Sequence, residues 1–369
     1  MSAAGGLSQE EAFARIRLLR SSNLGPITYR HLLARFGSAL DAVATLPELP
    51  DRASRACVLA DERSIQKEIA SARKAGVRYL FHDSPEYPFL LDQSPGSPPI
   101  LTYRGDLSVL ARPCVAMVGA RNASAAAMRL AREIAHDLAG EGWTVVSGLA
   151  RGIDGAAHQG ALTAGCTVGV IASGIDIAYP PQHAALQEEV ATRGLLLAEQ
   201  PLGAEPLARH FPARNRIIAG LSLGTVVVEA APKSGSLITA RLANDMGRHV
   251  MAIPGSPLDP RSHGCNHLIR EGATLVQDAA DVLELLDASA GTARSDGAER
   301  EGDGAADTAV ESFAVPGEEV LSLLTTTPVG VDELIRQSGA AAAAVQLALV
   351  ELELDGRLAR HAGGRVSLA

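Results

Sequence analysis

Apolar positions in the first 70 residues recur at helical spacing. Phe13, Ile16, Leu18 and Leu19 form one stripe, Asn23-Leu24-Gly25-Pro26 interrupts it, and Leu32, Leu33 and Phe36 resume it after Tyr29. Gly37-Ser38 then breaks the pattern again. A helix, a glycine-containing hairpin and a second helix are the elements this implies. From residue 112 the pattern changes. Short β-rich apolar runs stand at Val115–Val118, Thr144–Val146, Thr167–Ile171, Leu195–Ala198, Thr225–Val228 and Val250–Ile253, with helical patterns between them, as at Ala125–Ala139 and Leu237–Met246. Near-continuous apolar strands alternating with helices predict a doubly wound, Rossmann-like α/β domain, its parallel sheet covered on both faces. Two further strands, Arg78–Phe81 and Ile100–Tyr103, lead into it from a proline-rich stretch. The last residues read as three helices, Glu318–Leu324, Val331–Ser338 and Ala340–Leu354, and a closing hairpin of Leu358–Arg360 and Val366–Leu368. Three helices and a small β-wing suggest a winged helix.

These patterns divide the chain into a small all-α domain (1–74), the α/β domain (75–287), a linker (288–315) and the winged helix (316–369). The expected linker is rich in Ala, Gly, Asp and Glu and holds six acids against two arginines, a composition that favours a flexible tether. The 369 residues fit two or three domains, and 47% hydrophobic residues supply their cores. No apolar run approaches the ~20 residues that span a bilayer, and no basic-then-apolar leader opens the chain, so neither a membrane segment nor a secretory signal is expected. Cys57, Cys114, Cys166 and Cys265 are scattered without a CxxC. That argues against a disulfide framework and a four-cysteine zinc site, and for a reducing cytoplasm. The net charge of -9 argues against a generally basic DNA-coating protein, though phosphate affinity follows the local field and not the total.

Ligands of such a sheet bind beyond the carboxyl ends of its strands. Three strand–helix turns there carry suitable residues. Gly119-Ala120-Arg121-Asn122-Ala123-Ser124 offers a glycine, a guanidinium fork, a capping hydroxyl and free N–H groups at a helix start, which suits an anion. It is not GxGxxG, and Ser147-Gly148 ends the next strand where a ribose-binding acid would stand, so no dinucleotide cofactor is expected. Ser147–Asp154 forms the second turn. Asp154 and His158, four residues apart, could share a helix face for acid–base work, or could simply tie the loop. Lys233-Ser234-Gly235-Ser236 forms the third turn and again suits phosphate, without the spacing of a P-loop.

The most basic stretch is Arg209-His210-Phe211-Pro212-Ala213-Arg214-Asn215-Arg216. Leu207 to Leu242 contains five basic residues and one acid. Aromatics are only 3% of the chain, and of the three in 112–287 (Trp143, Tyr179, Phe211) Phe211 alone lies in this cluster. A ring among arginines suits an unpaired base with its phosphates. Two patterns are discounted. Gly220-Leu221-Ser222-Leu223-Gly224 matches G-x-S-x-G but runs from helix to strand, the reverse of a nucleophile elbow. His263, Cys265 and His267 alternate as zinc ligands can, but in a Pro/Gly-rich loop without a second cluster, so no metal site is expected.

Taken together, these turns, with Tyr179-Pro180, Phe211–Arg216, Ser234–Ala240, Pro254-Gly255, Gly264-Cys265-Asn266 and Gly272-Ala273, resemble the DNA processing protein A family (DprA, also called Smf). They run in the family's order over about 170 residues. The resemblance implies a cytoplasmic, non-enzymatic single-stranded DNA binder without a cofactor. Such a protein protects incoming DNA, loads RecA onto it in natural transformation (competence) and forms a dimer. The implied DNA-binding set is Gly119, Arg121, Ser124, Ser147, Gly148, Arg209, Phe211, Arg214, Asn215, Arg216, Lys233, Ser234, Gly235 and Ser236, and the implied self-contact region is Asn266, Leu268, Ile269 and Ala273. Charge reversal at Arg214 and Arg216 is expected to abolish binding and spare the fold. Two departures stand out. Ala120 replaces a frequent serine, and Ala340–Asp355 has no Lys or Arg but carries Glu351, Glu353 and Asp355, which disfavours groove reading by the winged helix. The rival reading is a nucleoside-monophosphate phosphoribohydrolase (signature PGGxGTxxE). Only Gly224-Thr225 with Glu229 echoes it, and the PGG segment is absent.

Overall fold

The computed structural model describes residues 7–48, 58–287, 321–325 and 327–339. Beyond these it describes 345, 348, 349, 352, 357–361 and 365–368. The linker expected at 288–315 lies outside the described residues, as do most residues of the expected third winged-helix helix.

The N-terminal part contains α1 (Gln9–Leu19), α2 (Pro26–Phe36) and α3 (Ala39–Thr45). The breaks fall where the sequence places them. Asn23 turns left-handed (φ +59), and Gly37 closes α2 in the left-handed region with its N–H donating to Leu33. Glu11 on α1 accepts from the backbone N–H of Ala39 at 2.9 Å and of Leu40 at 3.2 Å, and pairs with Arg15 at 2.8 Å. One carboxylate thus caps α3 and ties it to α1. A fourth helix, α4 (Glu62–Lys74), follows.

The α/β domain is a nine-stranded sheet in the order β1-β2-β6-β5-β4-β3-β7-β8-β9. Its strands are β1 (Arg78–Phe81), β2 (Ile100–Gly105), β3 (Cys114–Val118), β4 (Thr144–Ser147), β5 (Thr167–Gly174), β6 (Leu195–Gln200), β7 (Gly224–Val227), β8 (His249–Ala252) and β9 (Thr274–Leu275). β3 to β9 are parallel, whereas β1 and β2 add an antiparallel edge beside β6. The two early strands therefore extend the sheet. β9 was not expected, because two residues carry no readable period.

Alternate residues divide between the faces, as the period of two requires. Val115 and Met117 of β3 pack with Val145, Val226 and Met251 under α6 (Ala125–Gly140), α7 (Ile153–Ala164) and a helix over 279–287. Cys114, Ala116 and Val118 pack on the other face with Ile217 and Ile218 of α9 (His210–Leu221), Ala240 of α10 (Ser236–Asp245) and Cys265 of α11 (His263–Arg270). The short α5 (Phe89–Asp92) joins the second face through Leu91, and α8 (Ala184–Arg193) covers the β5–β6 side of the first through Val190. From β3 the chain winds outward through β4, β5 and β6, then returns to β7 on the other side of β3. The β3–β7 boundary is the switch point that opens a crevice at the carboxyl edge.

At the C-terminus β10 (Val329–Gly330), β12 (Arg365–Leu368) and β11 (Leu358–His361) form a three-stranded sheet in that order beside α13 (Val331–Ser338), the helix over 279–287 being α12. Val345, Ala348, Leu349 and Leu352 are helical and buried with Leu334 and Val366. This is the expected winged helix.

The first face depends on close approach between α6 and α7. A Cβ at Gly160 would stand 2.1 Å from the Arg132 carbonyl oxygen, so the two helix backbones touch there. Gly160→Ala is expected to lower stability by about 1–3 kcal/mol, seen as a lower urea midpoint with an unchanged slope.

Candidate nucleic-acid interface

The loop after β3 is held from both sides. Ala120 N–H donates to the Glu229 carbonyl at 2.6 Å, and the Ile153 N–H to the Ala120 carbonyl at 3.3 Å. Ser124 caps α6, accepting from Ala127 N–H at 3.1 Å, and its own N–H and hydroxyl donate to the buried Glu229 carboxylate at 3.1 and 2.7 Å. Gly119 lies buried below, and Arg121 projects outward, exposed. Its guanidinium lies 5.1 Å from the centroid of the Phe211 ring, a cation–π distance. Tyr179, in the segment after β5, meets the same ring edge-on at 5.6 Å. Phe211 sits in the first turn of α9 and is half-buried. A cation and a ring from two loops and a second ring from the first turn of α9 therefore meet beside the switch point.

Two cavities adjoin this trio. One, of about 640 Å³, runs along Gly119–Asn122, Pro212, Asn215 and Ala231–Ser236. The other, of about 280 Å³, is bounded by Gly148, Arg151, Ala172 and Tyr179–Gln182. Arg121, Ala150, Phe211 and Arg214 border both. Lys233 adopts φ +67 and is exposed, and the Ser234 and Ser236 hydroxyls lie 2.7 Å apart.

Arg214 is the buried member of the basic stretch. Its side chain is 7% exposed and its Nη1 is 3.9 Å from Asp154 Oδ2. Asp154 in turn accepts from Gly148 N–H at 3.1 Å and Ala150 N–H at 3.4 Å. Burial pushes the Asp154 carboxyl above its usual range, while Arg214 and the two N–H groups pull it back. Burial also lowers Arg214, and Asp154 opposes that. A Cβ at Gly148 would stand 1.2 Å from Arg214 Nη1, so only glycine admits the guanidinium here. Asp154 is thus a loop tie. His158 is buried with its Nδ1 2.7 Å from the Thr167 hydroxyl.

Most of the expected site residues meet at the cavities: Gly119, Arg121, Gly148, Phe211, Arg214, Asn215, Lys233, Ser234, Gly235 and Ser236. Four do not line them. The Ser147 hydroxyl is buried, donating to the Met117 carbonyl at 2.6 Å. Ser124 is committed to Glu229, Arg216 pairs with Glu199, and Arg209 stands exposed ahead of α9. Charge reversal at Arg214 and Arg216 would break a buried couple and an ion pair, so it would not spare the fold as expected. From His210 onward the basic stretch lies on α9. A helix turns residues two apart to different faces, which is why Arg214 and Arg216 part company.

Sequence reasoning left out Arg151, Tyr179 and Arg261, which also line the cavities. Each follows a parallel strand's carboxyl end, the signal that could have found it. Arg121, Arg151 and Lys233 make no ion pair with a described residue, whereas Arg261 is bidentate to Asp259 at 3.1 and 2.8 Å. At the discounted motifs, Ser222 is buried and donates to the Ile218 carbonyl, and Cys265 is buried, which pushes its thiol up to about 12. Thr225 of the phosphoribohydrolase echo lies inside β7, buried, not in a loop.

A family model described as DNA recombination-mediator protein A matches residues 78–287. Models of a DprA-like N-terminal HHH domain and a DprA winged helix domain match 9–71 and 306–364. Protein Smf of Escherichia coli is 37% identical over 316 residues, 83% of this chain and 81% of that protein. Protein Smf of Synechocystis is 44% identical over 216 residues, covering 57% of this chain and about half (54%) of its own length. The X-ray structure of DNA processing protein A from Streptococcus pneumoniae matches 76% of this chain and 98% of its own, with 36% identity and a TM-score of 0.64. A structure of DNA processing protein A from Helicobacter pylori, titled for its single-stranded DNA binding mode, matches 58% and 96% with 29% identity and a TM-score of 0.53.

The buried imidazole gives a pH test. Burial lowers His158 from 6.5 to about 3. Above pH 6.5 neither state binds the proton. Below it the unfolded chain takes up a proton that the native state refuses until about pH 3, so stability falls with falling pH across that window, by at most about 1.4 kcal/mol per pH unit. Urea midpoints between pH 7 and pH 5 are expected to fall less in His158→Gln than in the native chain.

Proposed function

The chain belongs to the DNA recombination-mediator protein A family, and from that premise we propose that it binds single-stranded DNA along the carboxyl edge of its sheet. The observation that carries this reading is the meeting of Arg121, Phe211 and Tyr179 beside a groove that Lys233 and Ser234–Ser236 border. Phosphates would run along the groove, met by Arg121, Lys233 and the amides and hydroxyls of the β3 and β7 loops, with Arg214 buried at its floor. A base would stack on Phe211. Asn215, whose amide donates to the Gly235 carbonyl at 3.3 Å, would hold the third loop in register. Ser124, Ser147 and Arg216 would act from beneath by fixing the loops that present these groups. Contacts to backbone and to a generic π-face favour binding of little sequence dependence.

The same reading makes the protein a cytoplasmic recombination mediator without catalysis, protecting incoming DNA and loading RecA onto it during natural transformation. Among the described residues no helix is long and apolar enough to cross a membrane. Self-association would use the late α/β region. Leu268 and Ile269 are half-buried there and Leu275 of edge strand β9 is exposed, while Asn266 is occupied within the chain by Gly255, donating at 2.8 Å and accepting at 3.1 Å.

The three cations at the cavities without an ion-pair partner among the described residues imply a slope of log affinity against log salt near -2, rising in size to about -3.5 if Arg214 and Arg261 also reach phosphates. Lys233→Ala should remove about 0.7 from that slope. Phe211→Ala should weaken binding about 5- to 150-fold and leave the slope alone. Anisotropy titrations of the full chain with oligo-dT across ~50–200 mM salt read all three. A flat salt response, or a duplex that outcompetes the single strand, would remove the reading.

A further inference from the structure

We propose that Arg261, in the loop after β8, is a further phosphate subsite of the groove, and that Asp259 holds it shut by occupying its guanidinium as a phosphate would. The inference rests on the single-strand reading above and deepens it: the chain carries its own competitor for the strand's backbone.

The loop over 254–262 is firm at its base. Asn266 of α11 donates to the Gly255 carbonyl at 2.8 Å and accepts from the Gly255 N–H at 3.1 Å. Ser262 packs so closely on Gly255 that a Cβ there would stand 2.1 Å from the Ser262 hydroxyl oxygen. Within this frame Asp259-Pro260-Arg261 forms a clasp. Asp259 Oδ1 accepts from the Arg261 backbone N–H at 3.0 Å, which caps the short turn Pro260–Ser262, and from Arg261 Nε at 3.1 Å. Asp259 Oδ2 accepts from Nη2 at 2.8 Å. The carboxylate therefore covers the Nε–Nη2 edge, the fork with which arginine takes two oxygens of a carboxylate or a phosphate.

The position of the pair gives it a function. Arg261 borders the 640 Å³ groove, as Arg121 and Lys233 do. Asp259 does not; it borders a separate cavity of about 380 Å³ together with Ser124, Glu133 and Glu229. The loops after β3, β7 and β8 thus each present one exposed cation to the groove, and only the third is neutralised. Glu229 cannot take over from Asp259, because its two oxygens already accept from the N–H and the hydroxyl of Ser124.

Magnitudes make the clasp a restraint and not a permanent lock. The Arg261 and Asp259 side chains are 47% and 33% exposed, and ion pairs at such positions favour the closed form by only about 1.4- to 5-fold. One more phosphate contact on a single strand multiplies affinity by about eightfold at ~50 mM salt and threefold at ~200 mM, taken relative to 1 M. Opening the clasp cancels most of that gain, so Arg261 adds little until Asp259 loses its charge.

The test is a gain of binding, which loss of fold cannot imitate. Asp259→Asn removes the charge and keeps a good capping residue. Anisotropy titrations of the full chain with oligo-dT are expected to show this variant about three- to fivefold tighter than the native chain at ~50 mM salt, with a salt slope steeper by about 0.7. Asp259→Ser, also a capping residue, should reproduce the gain. The double variant Asp259→Asn/Arg261→Ala has the native net charge at this loop and should return to native affinity and slope. Glu133→Gln removes a different acid from the same 380 Å³ cavity and should leave both unchanged. Native-like binding by both Asp259 variants would overturn the clasp and leave the single-strand reading intact. So would a gain that survives in the double variant, or an equal gain from Glu133→Gln, since either would reduce the effect to general charge. Absence of oligo-dT binding by the native chain and every variant would remove the single-strand reading itself.

Discussion

The functional surface follows from the parallel pairing of β3 with β4 on one side and β7 on the other. Because the chain leaves these strands at the same edge but winds in opposite directions, the loops after them diverge, and the cleft between them cannot be filled by either crossover. The sheet ladder runs into the cleft itself: Val228 N–H donates to the Val118 carbonyl at 3.1 Å, and Ala120 N–H to the Glu229 carbonyl at 2.6 Å. Glu229 then receives the N–H and hydroxyl of Ser124. A buried carboxylate thereby locks the start of α6 to the end of β7. The loop between β3 and α6, which carries Arg121, is fixed at both ends before any ligand arrives.

Within that frame the cations divide into two kinds. Arg214 and Arg216 spend their charge inside the protein, against Asp154 and Glu199. Breaking a buried pair by removing one partner leaves an uncompensated charge, which makes such residues expensive to alter for reasons unrelated to ligand. Arg121, Arg151 and Lys233 have no such partner among the described residues and stand exposed. A chain with net charge -9 can therefore present a cationic cleft. Asp154 at the cleft is tied to Arg214 and to two backbone N–H groups, and the field of more distant acids falls off within about 10 Å at ordinary salt.

The fold was legible because it rests on hydrophobic period. Every core strand of the parallel sheet except β9 stands where its apolar run is, and the α6 and α10 boundaries agree within one residue. The site was half legible, and the reason is geometric. Glycines, hydroxyls and arginines after strands mark the loops. The sequence does not say that α9 begins at His210, so it cannot say which arginine faces the cleft and which faces Glu199. It also does not say that the Ser124 and Ser147 hydroxyls satisfy internal acceptors. Tyr179 is distant from Phe211 in the chain, and only the placement of the loop after β5 brings their rings together.

The aromatic pair changes what kind of affinity the cleft can have. Charge neutralisation is released counterion entropy and fades as salt rises, by about 0.7 in log slope for each phosphate met. Stacking, at about 1–3 kcal/mol per base, does not depend on salt in that way. Arg121 links the two, since the guanidinium that would meet a phosphate also lies over the ring that would meet a base. Holding the arginine on the ring reduces the side-chain freedom it would otherwise lose on binding. The T-shaped Tyr179 does the same for Phe211 by limiting the ring's rotamers. A cleft with few cations and two aromatic rings can then hold a strand whose bases are exposed. A duplex, whose bases are already stacked on one another, has no ring to offer it.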